Sequence, residues 1–274
     1  MYVSILMTNT MNNWSMKIWI LGWFLLVSVA CQEESGVQPA GDTVAQNDKD
    51  DQSDETDEVT DEEEQVDVPP ATSELSYLAL GDSYTIGQSV AEEDRWPVQL
   101  VAELKSEGQV MSAPKIIART GWTTTNLIHA MDQEKELSAR YDLVSLLIGV
   151  NNQYQRQPIE RFTTEYPILL DRAIALAGGE PKRVVVLSIP DYGVTPFGQS
   201  ADPERIAGEI DEYNRMKKQM TENKGVIFFD ITEISREAKS NPSLIAVDGL
   251  HPSGQMYARW VETVLPWITE ELKP

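Results

Sequence analysis

Five short, almost unbroken apolar runs constrain the fold of this chain more than any other feature: Tyr77 to Leu80, Lys115 to Ala118, Leu143 to Ile148, Val184 to Ile189 and Val226 to Ile231. A strand with one face in water alternates apolar and polar residues, whereas a parallel strand covered by helices on both faces does not. Between the runs, apolar residues recur at helical spacing. Pro97, Leu100, Val101 and Leu104 share one face. Phe162, Leu169, Leu170, Ala173 and Ile174 form another, with a kink expected at Pro167 and a stop at Gly178-Gly179. Asp202-Pro203 reads as an N-cap and first-turn pair opening a helix that aligns Ile206, Ile210, Tyr213 and Met220. A last helix from Ser253 carries Met256, Trp260, Val261, Val264 and Ile268. Strand followed by helix, repeated along the chain, predicts a single three-layer α/β/α domain around a central parallel sheet of about five strands.

In such a sheet all strands end at one edge, and ligands bind in the crevice beyond those carboxyl ends. The first run is cut off by Gly81 and delivers Asp82-Ser83-Tyr84 into a turn bounded by Gly87. A hydroxyl just past a strand end is both fixed and reachable, which makes Ser83 the candidate nucleophile. Gly-Asp-Ser is also ordinary turn composition, so its weight depends on the other strand ends. The second run is followed by Arg119-Thr120-Gly121-Trp122 and the third by Gly149-Val150-Asn151-Asn152. The loop before the last helix reads Asp248-Gly249-Leu250-His251-Pro252-Ser253.

These four blocks, in this order, resemble those of the SGNH (GDSL-type) hydrolases, a family named for the Ser, Gly, Asn and His that carry its chemistry. The resemblance runs from about residue 76 to 274. It implies a flavodoxin-like α/β/α fold and a serine esterase working through an acyl-enzyme, with no metal and no cofactor. A serine hydroxyl needs a base during attack, and imidazole is the side chain whose intrinsic pKa lies nearest neutrality. Of the two histidines, His251 has Asp248 three residues earlier, in reach to accept the other ring N–H and fix the tautomer. His129 lies in an amphipathic stretch and reads as a structural or surface helix residue. The resemblance assigns the oxyanion to the backbone N–H groups of Ser83 and Gly121 and the side-chain amide of Asn151.

Two positions depart from the family pattern: Asn152 stands where many members carry aspartate, and Tyr84 where leucine is usual. Asp82 reads as structural support. Asp248 and His251 lack the further ligands a metal site requires. The aromatics Tyr84, Trp122, Tyr154 and Tyr192 fall in strand-end loops, where they line a substrate pocket or, equally, pack the loops. The exit of the fourth strand, Ser188 to Phe197, is expected to form one pocket wall. Lysophospholipid, a short-chain acyl ester and an acetylated glycan remain open as small-molecule ester substrates. O-acyl transfer to a glycan and a catalytically silent surface binding module are the alternative functions, and a monomer is expected.

The N-terminal part has another character. Residues 17 to 31 combine a basic start at Lys17, about a dozen apolar residues and small residues before Cys31, the layout of a secretory signal, with Met16 as an alternative start. Val27-Ser28-Val29-Ala30-Cys31 is similar to the lipobox of bacterial lipoproteins, apart from Ser28, which stands where leucine is usual. That implies an exported, cell-envelope lipoprotein facing the periplasm or the cell surface, held to a membrane by lipid on Cys31; ordinary secretion is the alternative. Residues 1–30 are then the signal peptide, 31–74 an acidic disordered tether and 75–274 the hydrolase domain. From Glu33 to Glu74 there are sixteen acidic residues and one basic, with almost nothing apolar to bury, so this stretch is expected to be disordered. The remainder from residue 75 carries a net charge of −8, which offers no basic surface for nucleic acid.

Overall fold

The structure, a computed structural model, describes residues 74–273. The signal peptide, Cys31 and all but the last residue of the acidic stretch lie outside the described residues. In chain order the first half contains β1 (Tyr77–Gly81), α1 (Ser83–Ile86), α2 (Trp96–Ser106), β2 (Lys115–Ala118), α3 (Thr124–Gln133), β3 (Leu143–Leu147), α4 (Val150–Tyr154) and α5 (Ile159–Leu176). The second half contains β4 (Val184–Leu187), α6 (Pro196–Gln199), α7 (Pro203–Glu222), β5 (Ile227–Phe229), α8 (Thr232–Arg236) and α9 (Gly254–Glu271).

The sheet is parallel throughout, with strand order β2-β1-β3-β4-β5. Leu80 pairs with Ile117 on one side and Leu146 on the other, so β1 is central. The chain winds outward from β1 to β2 and then returns to place β3 on the opposite side of β1. That reversal is the topological switch point, where a crevice opens beyond the strand ends. Every residue of β1, β3 and β4 is buried, which is why their sequences do not alternate. Burying a side chain such as Leu78, Leu80 or Leu146 contributes roughly 1.5–3 kcal/mol. α2 packs against α9, while α3, α5 and α7 pack in series.

The expected helix starts are present: Asp202 accepts from Arg205 N–H at 3.1 Å and Ser253 Oγ from Met256 N–H at 3.3 Å. α5 continues through Pro167, the position where the sequence predicts a kink. The proline removes one main-chain donor, but Phe162, Tyr166, Leu169 and Leu170 are buried on both sides of it and hold the helix in place. The apolar runs also overshoot the ladders. Ile148 and Ile189 are buried but lie beyond β3 and β4, where the backbone leaves the sheet to form loops.

Candidate active site

The turn after β1 depends on Gly81. A Cβ there would lie 2.1 Å from Thr85 Oγ1 and 2.5 Å from Leu147 O, so only glycine lets the chain turn directly into α1. Asp82 caps that helix, its Oδ1 accepting the Tyr84 N–H at 3.0 Å. Its carboxylate is thereby turned into the protein, as expected of a supporting residue. Ser83 follows, buried, with no hydrogen-bond partner for its hydroxyl among the described residues.

Asp248 and His251 sit in the loop leading to α9. Asp248 Oδ1 accepts the backbone N–H groups of Leu250 and His251, both at 2.9 Å, which folds the segment into a tight turn. Its Oδ2 lies 2.7 Å from His251 Nδ1 and accepts from Ser89 Oγ at 2.7 Å. Burial pushes the Asp248 carboxyl upward, but these hydrogen bonds, led by the His251 N–H, outweigh it and hold the group well below the usual carboxylate range. An ionised carboxylate only accepts, so the His251 proton resides on Nδ1 and the Nε2 lone pair is left for a substrate or nucleophile.

Ser89 has φ 67°, and with Arg156, φ 54°, it is one of two non-glycine residues with positive φ among the described residues. A serine held in the left-handed region carries a steric cost, here offset by a contact spanning most of the domain. Nothing in the sequence marks Ser89, because neither its conformation nor its partner is local.

Gly121 (φ 82°) and Asn151 approach from the two sides of β1. A Cβ on Gly121 would meet nothing within 4 Å, so the glycine is required for its backbone angle. Gln155 Nε2 holds Gly121 O at 3.0 Å, and Asn151 Nδ2 holds Trp122 O at 3.0 Å. The second Asn151 hydrogen faces only Asp82 Oδ2, at 3.5 Å, the outer limit of a hydrogen bond. Neither Ser83 N–H nor Gly121 N–H has a partner among the described residues. Asn152, the departure from the family pattern, is buried and uses both halves of its amide. Its Oδ1 accepts Thr124 N–H at 3.1 Å, and its Nδ2 donates to Thr124 Oγ1 at 2.8 Å and Gln157 Oε1 at 3.2 Å.

Ser83, Gly121, Asn151 and His251 line one cavity of about 280 Å³ beyond the strand ends. Tyr84, Tyr154 and Tyr192 line it too, as do Phe197 from the fourth-strand exit and Leu250. Trp122 does not: it packs against the hydrophobic core and contributes its carbonyl instead. His129 is exposed on α3 and is not among the residues that line this cavity. Among the described residues no cluster of three or more His, Cys, Asp or Glu side chains could hold a metal ion.

At the strand ends lies a buried pair, Lys217 with Asp82, of which the sequence marks only the aspartate. Lys217 of α7 donates to Ile148 O at 3.0 Å and Leu187 O at 2.7 Å, the carbonyls where β3 and β4 end, and lies over the Tyr166 ring at 5.7 Å. Burial lowers its pKa to about 7, partly opposed by Asp82. Burial likewise raises Asp82 to about 7, opposed by the Tyr84 N–H and then Lys217. The available signal was a lysine on the apolar stripe of α7, between Tyr213 and Thr221.

A serine at the first strand end of a doubly wound sheet and an aspartate-held histidine at the same cavity are groups with which an ester hydrolase can work. The chain belongs to the GDSL-like Lipase/Acylhydrolase family, whose family model matches residues 79–259, and is an SGNH-type ester hydrolase. Solved structures share the fold. The structure of TesA matches with TM-score 0.57 and 17% identity, over 72% of this chain and 99% of that one. A lipase/acylhydrolase from Enterococcus faecalis matches with TM-score 0.57 and 20% identity, over 73% and 98%. The acetylxylan esterase Axe2 from Geobacillus stearothermophilus matches with TM-score 0.51 and 20% identity, over 71% and 94%. None of the curated proteins compared matches the chain in sequence.

Proposed function

We propose that the protein hydrolyses carboxylic esters through an acyl-enzyme on Ser83. His251 Nε2 takes the hydroxyl proton as Oγ attacks the carbonyl carbon, and then delivers it to the leaving alcohol as the C–O bond breaks. Asp248 fixes the ring and stabilises the imidazolium. The tetrahedral oxyanion is received by the Ser83 and Gly121 N–H groups and the Asn151 amide, each such donor lowering the barrier by roughly 3–4 kcal/mol. Water, activated by the same histidine, then releases the acid and frees the serine.

The observation that carries this reading is the arrangement around the cavity: an imidazole whose Nδ1 is held by Asp248 lines the same cavity as Ser83 and Gly121, whose backbone N–H groups have no partner among the described residues. A fluorophosphonate probe is expected to label the protein at Ser83. Labelling that persists in Ser83→Ala overturns the assignment. We propose in addition that lipid on Cys31 tethers the domain to a membrane of the cell envelope, residues 32–74 serving as the spacer.

A further inference from the structure

The catalytic cavity continues beyond Tyr154, Tyr192 and Phe197. Their rings lie 5.9–6.4 Å apart and form a ledge, with Tyr154 and Phe197 both exposed. The same three residues border a further hollow that also reaches Arg156 and Arg205. That hollow shares both arginines and Gln153 with a lobe of about 440 Å³ between α4 and α7. Hydrogen bonds tie the two ends together: Tyr192 OH donates to Gln153 Oε1 at 3.0 Å, and Gln153 Nε2 to Glu209 Oε2 at 2.6 Å.

Two arginines and one carboxylate line the lobe, and Asp202 Oδ2 lies 3.8 Å from Arg205 Nε. Arg205 Nη1 contacts both oxygens of Glu209 at 2.8 Å, whereas the Arg156 guanidinium has no carboxylate within salt-bridge distance among the described residues. Arg156 is therefore the cation of the lobe without a paired carboxylate among the described residues, in a domain whose net charge from residue 75 is −8. The backbone of Arg156 points the same way. Gln157 N–H bonds Asn152 O at 2.9 Å and Arg156 N–H bonds Gln153 O at 2.8 Å, the pattern that closes a helix through a left-handed residue. Glycine is the usual occupant of that position because a Cβ is strained there. Arginine is kept at φ 54° instead, and it lines the lobe.

We propose that the lobe is a subsite for an anion on the alcohol portion of the ester, a phosphate or carboxylate bound by Arg156, with the acyl group in the apolar cavity and the intervening carbons on the aromatic ledge. Planar guanidinium donors suit both oxyanions. This rests on the ester-hydrolase reading and extends it to a substrate class.

The test compares butyryl esters of glycerol, glycerol 3-phosphate and methyl glucuronide on the full-length protein, with p-nitrophenyl butyrate as a charge-free reference. At low ionic strength kcat/KM is expected to be about tenfold higher for one of the charged esters than for the glycerol ester, and to converge on it as salt is raised. Which charged ester leads identifies phosphate or carboxylate. Arg156→Gly is expected to remove the preference without lowering Tm, since glycine is the natural residue for that backbone, and Arg156→Lys to retain part of it. Equal turnover of all three esters by the wild type, or a preference surviving in Arg156→Gly, overturns the subsite. If p-nitrophenyl butyrate turns over without any anion preference, the subsite alone fails. If no ester turns over and Ser83 resists the fluorophosphonate, the hydrolase reading fails with it.

Discussion

Asp248 is held by four donors, and only one of them comes from a side chain distant in sequence. Ser89 Oγ shares the very oxygen that faces His251, so the hydroxyl sets where the imidazole plane lies. Ser89→Gly and Ser89→Ala both delete it. Each is expected to lower kcat about tenfold, with less change in KM, because the contact orients the proposed base and touches no substrate. The two variants separate in stability: glycine relieves the left-handed strain, whereas alanine keeps it and is expected to melt lower. A kcat equal to wild type in both would remove Ser89 from the positioning of His251. That Ser83 and His251 line one cavity and that Asp248 meets the His251 ring was legible in the sequence, from residue type, strand-end position and the three-residue spacing of Asp248 and His251. Ser89 was not, since a hydroxyl contact across most of the domain leaves no local pattern.

α7 reaches under the sheet to hold the ends of two strands. Without the Lys217 ammonium, the carbonyls of Ile148 and Leu187 lose a buried donor, each at a cost of about 1–3 kcal/mol, and the loops that carry Asn151 and Tyr192 lose their anchor. The pair also makes stability depend on pH in a defined direction. Asp82, raised to about 7, keeps its proton in the folded state where the unfolded chain has released it, so its contribution is full at low pH and lost as pH rises through about 7. Lys217, lowered to about 7, gives the opposite slope: its contribution is full above the ordinary lysine value of 10.5 and lost as pH falls toward about 7. The pair is therefore least favourable near neutrality. The Tm of wild type minus that of the double variant Asp82→Asn/Lys217→Met is expected to pass through a minimum near pH 7, and a difference constant from pH 5 to 9 would refute the pair's titration. The long elements were readable because their faces repeat. The short ones, α1, α4, α6 and α8, carry too few turns for periodicity and follow from caps and buried contacts. Asn152 illustrates the limit: the sequence marks it as a departure, but only the junction of α3 and α4 explains why a group that both donates and accepts is needed there.

For the molecule as a whole, the alternation of runs and stripes predicted a parallel three-layer domain, and that is the architecture. The strand order did not follow from alternation. Unbroken apolar runs say that a strand is covered and not which strand lies beside it. The uneven charge belongs to this scale too: the stretch from Glu33 to Glu74 holds sixteen acids against one base, and repulsion along it favours extension. On the lipid-anchor proposal, Cys31→Ala is expected to shift the protein from the membrane fraction to the soluble one with its esterase activity intact. Retention in the membrane fraction would exclude that anchor.

The placement of Ser83 after the first strand and of His251 after the last has a consequence for biosynthesis. A ribosome delivers the serine early and the imidazole only when nearly the whole domain has been translated. On the proposed mechanism the nascent polypeptide carries an inert hydroxyl, and ester cleavage switches on only once the segment leading into α9 has emerged and docked.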